Sequence, residues 1–187
     1  DDQADAFPYD PTQWEDADGD GMGDNPMGIG ADKFPDDPTQ WGDIDGDGYG
    51  DNSTGNNPDA FPTDATQWSD MDGDGYGDEP MPATQGDSCA SIAGTSFEDR
   101  FGCLDSDSDG YSDPTENWTT ADGADSSIND KSQWEDGDGD GYGDNSSEDA
   151  TNPDRFPNNI AAAEDNDSDG LLDRWTEYYN GSWDDDN

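Results

Sequence analysis

Six times this chain repeats the pattern D-x-D-x-D-G-x-x-D, three alternating carboxylates, a glycine and a fourth carboxylate. The copies are Asp16, Asp18, Asp20 and Asp24; Asp43, Asp45, Asp47 and Asp51; Asp70, Asp72, Asp74 and Asp78; Asp105, Asp107, Asp109 and Asp113; Asp136, Asp138, Asp140 and Asp144; and Asp165, Asp167, Asp169 and Asp173. An oxygen-only donor set suits a hard cation, and calcium takes roughly six to eight oxygens at about 2.3–2.6 Å. Aspartates at positions 1, 3 and 5 converge on one ion if the backbone coils tightly. The glycine at position 6 reaches backbone angles closed to other residues. The carbonyl of position 7, on Met22, Tyr49, Tyr76, Tyr111, Tyr142 and Leu171, then faces the metal. Position 9 binds directly or through a water.

The elements that hold these loops are themselves periodic. Loop starts lie at 16, 43, 70, 105, 136 and 165, the first three spaced by 27 residues. A second phrase precedes each regular loop: DAFPYDPTQWED at 5–16, DKFPDDPTQWGD at 32–43 and DAFPTDATQWSD at 59–70, with degenerate copies at 125–136 and 154–165. A tryptophan therefore recurs two residues before the loop, at Trp14, Trp41, Trp68 and Trp134, and Ala163 replaces it in the last copy. Such self-similarity is the mark of a linear array in which each unit contacts its neighbours. Residues 1–78 form three regular repeats, 79–104 a cysteine-containing insert, and 105–187 three less regular repeats. The tail Trp183-Asp184-Asp185-Asp186-Asn187 matches Trp14-Glu15-Asp16-Ala17-Asp18, so it reads as the start of a seventh loop and the chain as a window on a longer array. Proline and glycine recur too often for helices. The exceptions expected are a short helix over Leu171–Tyr179 and a turn beginning at Asp113–Glu116.

Composition sharpens the picture. The 187 residues carry 51 acids, 5 bases and no histidine, for a net charge of −46, and 26% are hydrophobic, about half the usual globular share. Composition alone points to disorder, because so little apolar surface cannot offset chain entropy. The patterned acids and 20 aromatic residues (7 Trp, 7 Tyr, 6 Phe) point instead to a fold in which metal replaces the core. Six divalent ions would offset twelve charges and leave −34, so further ions are expected. Asp10, Asp37, Asp64 and Asp130, or Asp5, Asp32, Asp59 and Asp125, are the candidates for a second site per repeat; the alternative for them is turn capping. The charge argues against nucleic acid and anionic membranes, and no apolar run is long enough to span a bilayer. Millimolar extracellular calcium suits loops of this kind. In that setting Cys89 and Cys103 pair in a disulfide closing a short loop, worth roughly 3 kcal/mol in the chain-entropy model; the alternative is two free thiols.

Two families use this loop. The EF-hand flanks it with amphipathic helices and ends it with a bidentate glutamate at position 12. Here position 12 is Met27, Thr54, Met81, Glu116, Ser147 and Thr176, so only Glu116 fits. The tandem DxDxDGxGD loops joined by F-P-x-D-P-T-Q-W phrases, as in Phe34–Trp41, resemble the thrombospondin type 3 repeat, in the cysteine-poor form of prokaryotic surface proteins. The resemblance covers the chain apart from about 79–104 and 114–124. It implies irregular backbone wrapped around calcium, with ligands at positions 1, 3, 5 and 9 of each loop. The expected fold is thus irregular, with little regular secondary structure: an elongated, calcium-stapled tandem-repeat array.

Five N-x-S/T sequons, at Asn52, Asn117, Asn145, Asn166 and Asn180, mark possible N-glycans, and Thr12, Thr39 and Thr66 are weaker O-glycan candidates. The recurring Phe and Trp read as a miniature core packed on the prolines, rather than as a carbohydrate platform. The position-7 tyrosines are expected to face outward or to pack on the next repeat. Nothing pairs a base with a nucleophile, so an enzyme is not expected. The chain reads as a structural segment of an extracellular surface protein or filament, stiffened by calcium and continuing head to tail into further repeats. The competing reading is a stalk or adhesion module that presents another domain and meets carbohydrate or protein partners. A third is a calcium store for mineral nucleation.

Overall fold

The computed structural model describes residues 5–80 and 82–177. These fall into two compact units, Asp1–Ser91 and Ile92–Asn187, divided within the cysteine-containing insert. No α-helix occurs among the described residues. Among the described residues, regular structure is confined to a 3-10 turn at Thr120–Asp122 and two short antiparallel strands, β1 (Ala162–Glu164) and β2 (Arg174–Trp175). The irregular architecture expected from the sequence is therefore present.

The helix expected over 171–179 is not formed in its described part. Arg174–Trp175 instead pairs with Ala162–Glu164, Arg174 reaches Glu164 at 3.2 Å, and the Thr176 amide and hydroxyl bond to the carbonyls of Ala161 and Ile160. A helix of nine residues lacks the length to hold itself, and the aromatic and β-branched pair Trp175-Thr176 suits a strand edge. Tyr178, Tyr179, Asn180 and the seventh-loop residues 183–187 lie outside the described residues. The turn expected at 113–116 falls slightly later, closed by the Thr115 amide on the Trp118 carbonyl at 2.6 Å.

Three backbone bonds recur in place of a ladder. The position-9 amide closes every loop by donating to the residue before position 1, from Asp24 to Glu15 (3.0 Å) through Asp173 to Glu164 (2.8 Å). The phrase between loops closes on itself, as in Lys33 to Trp41 and Ser126 to Trp134, both at 3.1 Å. The third bond links them: the amides of Asp32, Asp59, Asp87, Asp125 and Asp154 donate to the position-8 carbonyls of Gly23, Gly50, Gly77, Ser112 and Gly143 at 2.7–2.9 Å. Cys89 and Cys103 are joined in a disulfide, as expected.

The aromatic core expected from the sequence is not what fills the interior. No described Phe, Tyr or Trp is buried; Trp14 is 55% and Trp41 43% exposed. The buried side chains are mostly polar: Gln13, Gln40, Gln67 and Gln133, with Asp32, Asp59, Asp87, Asp125 and Asp154. Each glutamine knits its loop neck. The Gln40 Oε1 accepts from the Asn52 amide, and its Nε2 donates to the carbonyls of Asn52 and Asn56, all at 3.0 Å. Gln13, Gln67 and Gln133 repeat the arrangement. In a chain with so few aliphatics, backbone groups at the centre need amide partners more than they need rings. The rings pair at the surface: Tyr49 stacks on Trp68 at 5.1 Å and Tyr111 on Trp134 at 5.5 Å, both within 4° of parallel. The expectation that position-7 tyrosines reach the next repeat holds for these two. Loop 1 carries Met22 at that position, and Trp41 is left exposed.

Candidate metal centres

Within each loop the carboxylates are held by their own backbone. At position 1 the two oxygens of Asp43 accept from the amides of Gly46 (2.6 Å) and Gly48 (3.2 Å). At position 3, Asp45 accepts from Asp47 at 3.2 Å, and at position 5, Asp47 accepts from Tyr49 at 2.8 Å. At position 9, Asp51 accepts from Ile44 at 3.3 Å. The same bonds recur in the other loops, for example Asp105 with Ser108 and Gly110, and Asp165 with Gly170. The coil depends on left-handed backbone at position 4 as well as position 6, with φ of 86° at Gly46 and 96° at Gly48. Ser108 and Ser168 take up the same conformation at position 4 without being glycine.

At positions 3 and 5 one oxygen of most carboxylates is anchored in this way, Asp72 excepted, and the second is presented inward. Asp16, Asp18 and Asp20 bring one oxygen each within 4.8 Å of one another; so do Asp43, Asp45 and Asp47; Asp70, Asp72 and Asp74; Asp105, Asp107 and Asp109; and Asp136, Asp138 and Asp140. Buried oxygens without a hydrogen-bond partner mark these centres: Oδ2 of Asp18, Asp20, Asp45, Asp47, Asp107, Asp109, Asp138 and Asp140, both oxygens of Asp72, and Oδ1 of Asp24 and Asp144. A buried anion without a donor or a countercharge is costly. The donor set is all oxygen, which fits calcium rather than a softer metal.

A further carboxylate joins five of the loops. Asp32, Asp59, Asp87, Asp125 and Asp154 are buried, and each accepts from the amide two residues on at 2.6–2.7 Å. Their Oδ2 atoms are likewise buried without partners. Burial pushes all five above the ordinary carboxylate range against the pull of that amide, and the nearby carboxylates of positions 3, 5 and 9 push the same way; Asp87, Asp125 and Asp154 rise to about 6. Sequence reading had both options open for Asp32, Asp59 and Asp125, and missed Asp87 and Asp154. The signal was available: each stands eight to twelve residues past position 9, and all but Asp87, which lies in the cysteine-containing insert, open the next phrase. Asp10, Asp37 and Asp64 take the other option. Each caps a turn by accepting from the threonine two residues on, hydroxyl and amide both, and those bonds hold it below the usual range. Asp130 caps Ser132 in the same way.

Glu116, the position-12 residue that suited an EF-hand, is exposed in the 115–118 turn; Asp125 is the residue carried to loop 4. The hydroxyls of Thr12, Thr39 and Thr66, considered for O-glycans, both donate to the capping aspartate and accept from the amides of Ile29, Asn56 and Thr84. Beside loop 5 lies a cavity of about 590 Å³ walled by the Tyr111–Trp134 pair, Thr120, Ala121, Ser126 and Glu135. No family model matches the chain, and no curated protein matches it.

Proposed function

We propose that this chain is a calcium-binding structural repeat segment of the thrombospondin type 3 kind, part of an extracellular surface protein or filament that its ions stiffen. The observation that carries the reading is the recurrence, in the first five loops, of aspartates with buried and unpartnered oxygens. Five bases among 51 acids cannot neutralise them, so the cations come from solution. Positions 1, 3, 5 and 9 with the position-7 carbonyl hold one ion in each of six loops. The trailing aspartates Asp32, Asp59, Asp87, Asp125 and Asp154 provide for a second ion at five of them. Calcium then does the work of a core: it draws the loop carboxylates together, removes their repulsion and fixes one repeat to the next through the bond from the trailing aspartate amide. An array of such units is elongated and stiff, and continues head to tail.

The test is native mass spectrometry of the chain before and after chelation, with calorimetric calcium titration. Six or more calcium ions lost, with expansion in small-angle scattering, is the expected result. A chain that holds no calcium, or that stays equally compact in excess chelator, would sink the reading. The cavity beside the Tyr111–Trp134 pair favours a second reading, a stalk or adhesion module that meets a carbohydrate or protein partner; saturable binding of a glycan lost in Trp134→Ala would support it.

A further inference from the structure

The sequons occupy two different kinds of place. Asn52 and Asn145 stand just after position 9, and their side chains belong to the loop neck. The Nδ2 of Asn52 donates to the Thr39 carbonyl at 2.8 Å while its Oδ1 accepts from the Thr54 amide at 3.2 Å. Asn145 makes the same pair of bonds, with the Ser132 carbonyl at 2.8 Å and the Ser147 amide at 3.1 Å. Asn25 makes them too, with the Thr12 carbonyl at 2.7 Å and the Met27 amide at 3.2 Å. Asn25 is followed by Pro26 and is no sequon. The asparagine is therefore at this position for the lock, and the sequon at 52 and 145 is incidental to it. The atom to which a sugar would be attached is the one that faces inward.

Asn117 and Asn166 are exposed, and neither side chain makes a hydrogen bond within the described residues. Asn117 sits at the tip of the Thr115–Trp118 turn, in a segment the repeat pattern does not require. The two residues that follow it are fixed: the Trp118 indole donates to Asp99 at 3.0 Å, and the Thr119 hydroxyl donates to Asp122 at 2.8 Å. Asn166 occupies loop position 2, where only the amide is used, donating to Asp173 at 2.6 Å. Other loops carry Ile44 and Met71 at position 2, 72% and 76% exposed, so a large outward group is accommodated there.

We propose that N-linked glycan is carried at Asn117 and Asn166 and excluded from Asn52 and Asn145. In the transfer, Nδ2 forms a bond to the anomeric carbon of a lipid-phosphate-linked sugar. The bond from that carbon to the phosphate oxygen breaks, the lipid phosphate leaves with the electron pair, and Nδ2 gives up one proton to the transferase. A sugar at Asn117 or Asn166 stands in solvent. A sugar on Asn52 or Asn145 would replace one of the two hydrogens on an Nδ2 that already bonds a neck carbonyl, and would crowd the neck of the folded repeat.

The experiment is site-occupancy mapping by mass spectrometry on the full chain from its native cell, with enzymatic release of glycan in ¹⁸O water to mark each occupied asparagine. Sugar on the peptides of Asn117 and Asn166, with Asn52 and Asn145 bare, is expected. Sugar on Asn52 or Asn145, or a bare Asn117 or Asn166, overturns the proposal. Substitution separates modification from structure. Asn117→Gln and Asn166→Gln are each expected to remove one glycan mass and leave the denaturation midpoint in place. Asn52→Gln is expected to lower the midpoint and leave the glycan mass unchanged; a glycan mass lost with Asn52→Gln overturns the assignment.

Discussion

Loops 2 and 4 have the same coil of aspartates but close their necks by different chemistry. In loop 2 the space between the neck and position 8 is filled by the buried Gln40 amide, and position 8 is Gly50, where a Cβ would lie inside that amide. In loop 4 the residue at the place of Gln40 is Gly102, and position 8 is Ser112. The Ser112 amide and hydroxyl both donate to Asp99, at 2.9 and 2.5 Å, and Arg100 donates to the same hydroxyl at 2.8 and 3.0 Å. Its guanidinium lies 5.0 Å from the Trp118 ring centroid. Loop 6 shows a third solution, with Ala162 and Leu172 at the two places. Side-chain volume has moved from one position to the other while the coil and its closing bond are kept. The aspartate coil is the constant demand of the geometry, and the neck is where the chain has latitude.

The largest effect that separates the two regions is removal of calcium. If calcium is what partners the inward carboxylates of loop 2, as proposed, chelation is expected to abolish amide-exchange protection at Asp47, Gly48 and Asn52 together. In loop 4, Arg100 supplies a positive charge of its own and the Ser112–Asp99 bonds do not run through the metal. Burial pushes Asp99 up, but hydrogen bonds from the Ser112 hydroxyl, the Arg100 and Ser112 amides and the Trp118 indole outweigh it and keep the group charged. Residual protection at Ser112 in excess chelator is expected. Equal loss in both regions would show that the Arg100 cluster is only an ornament of the metal-bound state.

Exchanging the neck residues sharpens the comparison at smaller cost. Gly50→Ser drives a side chain into the Gln40 amide and is expected to destabilise by about 1–3 kcal/mol. Gln40→Gly strands the part-buried Asn52 amide and costs on the order of 1–3 kcal/mol. The double substitution recreates the Gly102–Ser112 pair and relieves the clash, so its cost is expected to fall short of the sum by roughly 0.5–3 kcal/mol. Additive costs in chemical denaturation would mean that the two positions do not share space. The matching change in the other region is Arg100→Ala, which removes two hydrogen bonds to Ser112 and the contact with Trp118, at about 1–3 kcal/mol. Arg100→Lys is expected to recover only part, because an ammonium offers no planar fork. Full recovery with lysine would reduce the cluster to its charge.

Much of this was legible in the sequence because the loop is local: spacing and glycine placement specify the coil within nine residues. The irregular backbone followed from the density of proline and glycine. The neck was harder to see. Gln13, Gln40, Gln67 and Gln133 stand in polar phrases, where a glutamine reads as solvated, and only their partnership with Gly23, Gly50, Gly77 and Gly143 betrays the packing. That both members change together, at 102 with 112 and at 162 with 172, was the readable signal. Tryptophan and phenylalanine misled because apolar rings ordinarily mark a core. Here the interior is set by unpaired amides and carboxylates, and the rings cover its edges. Assigning the trailing aspartates to the preceding loop required the bond across nine to thirteen residues, which no local pattern announces.

Acidity offers the finest division between the regions. In the metal-free chain burial raises Asp87 near loop 3 to about 6, and does the same to Asp109, Asp125 and Asp154 at loops 4 and 5. A carboxyl whose folded value lies above its ordinary 3.8 binds its proton more tightly folded than unfolded. Protonation therefore favours the metal-free fold below about pH 4, and that contribution is lost as pH rises through about 6. Calcium needs the charged form, so proton and metal compete across the same window. Loops 1 and 2, where Asp32 and Asp59 are raised less far, are expected to hold calcium to lower pH than loops 3 to 5. Carboxyl carbon shifts followed by NMR from pH 7 to 4 at fixed calcium would resolve the order. Release from all loops at one pH would mean that the ions are lost cooperatively, and that the depth of each trailing aspartate does not set the affinity of its own site.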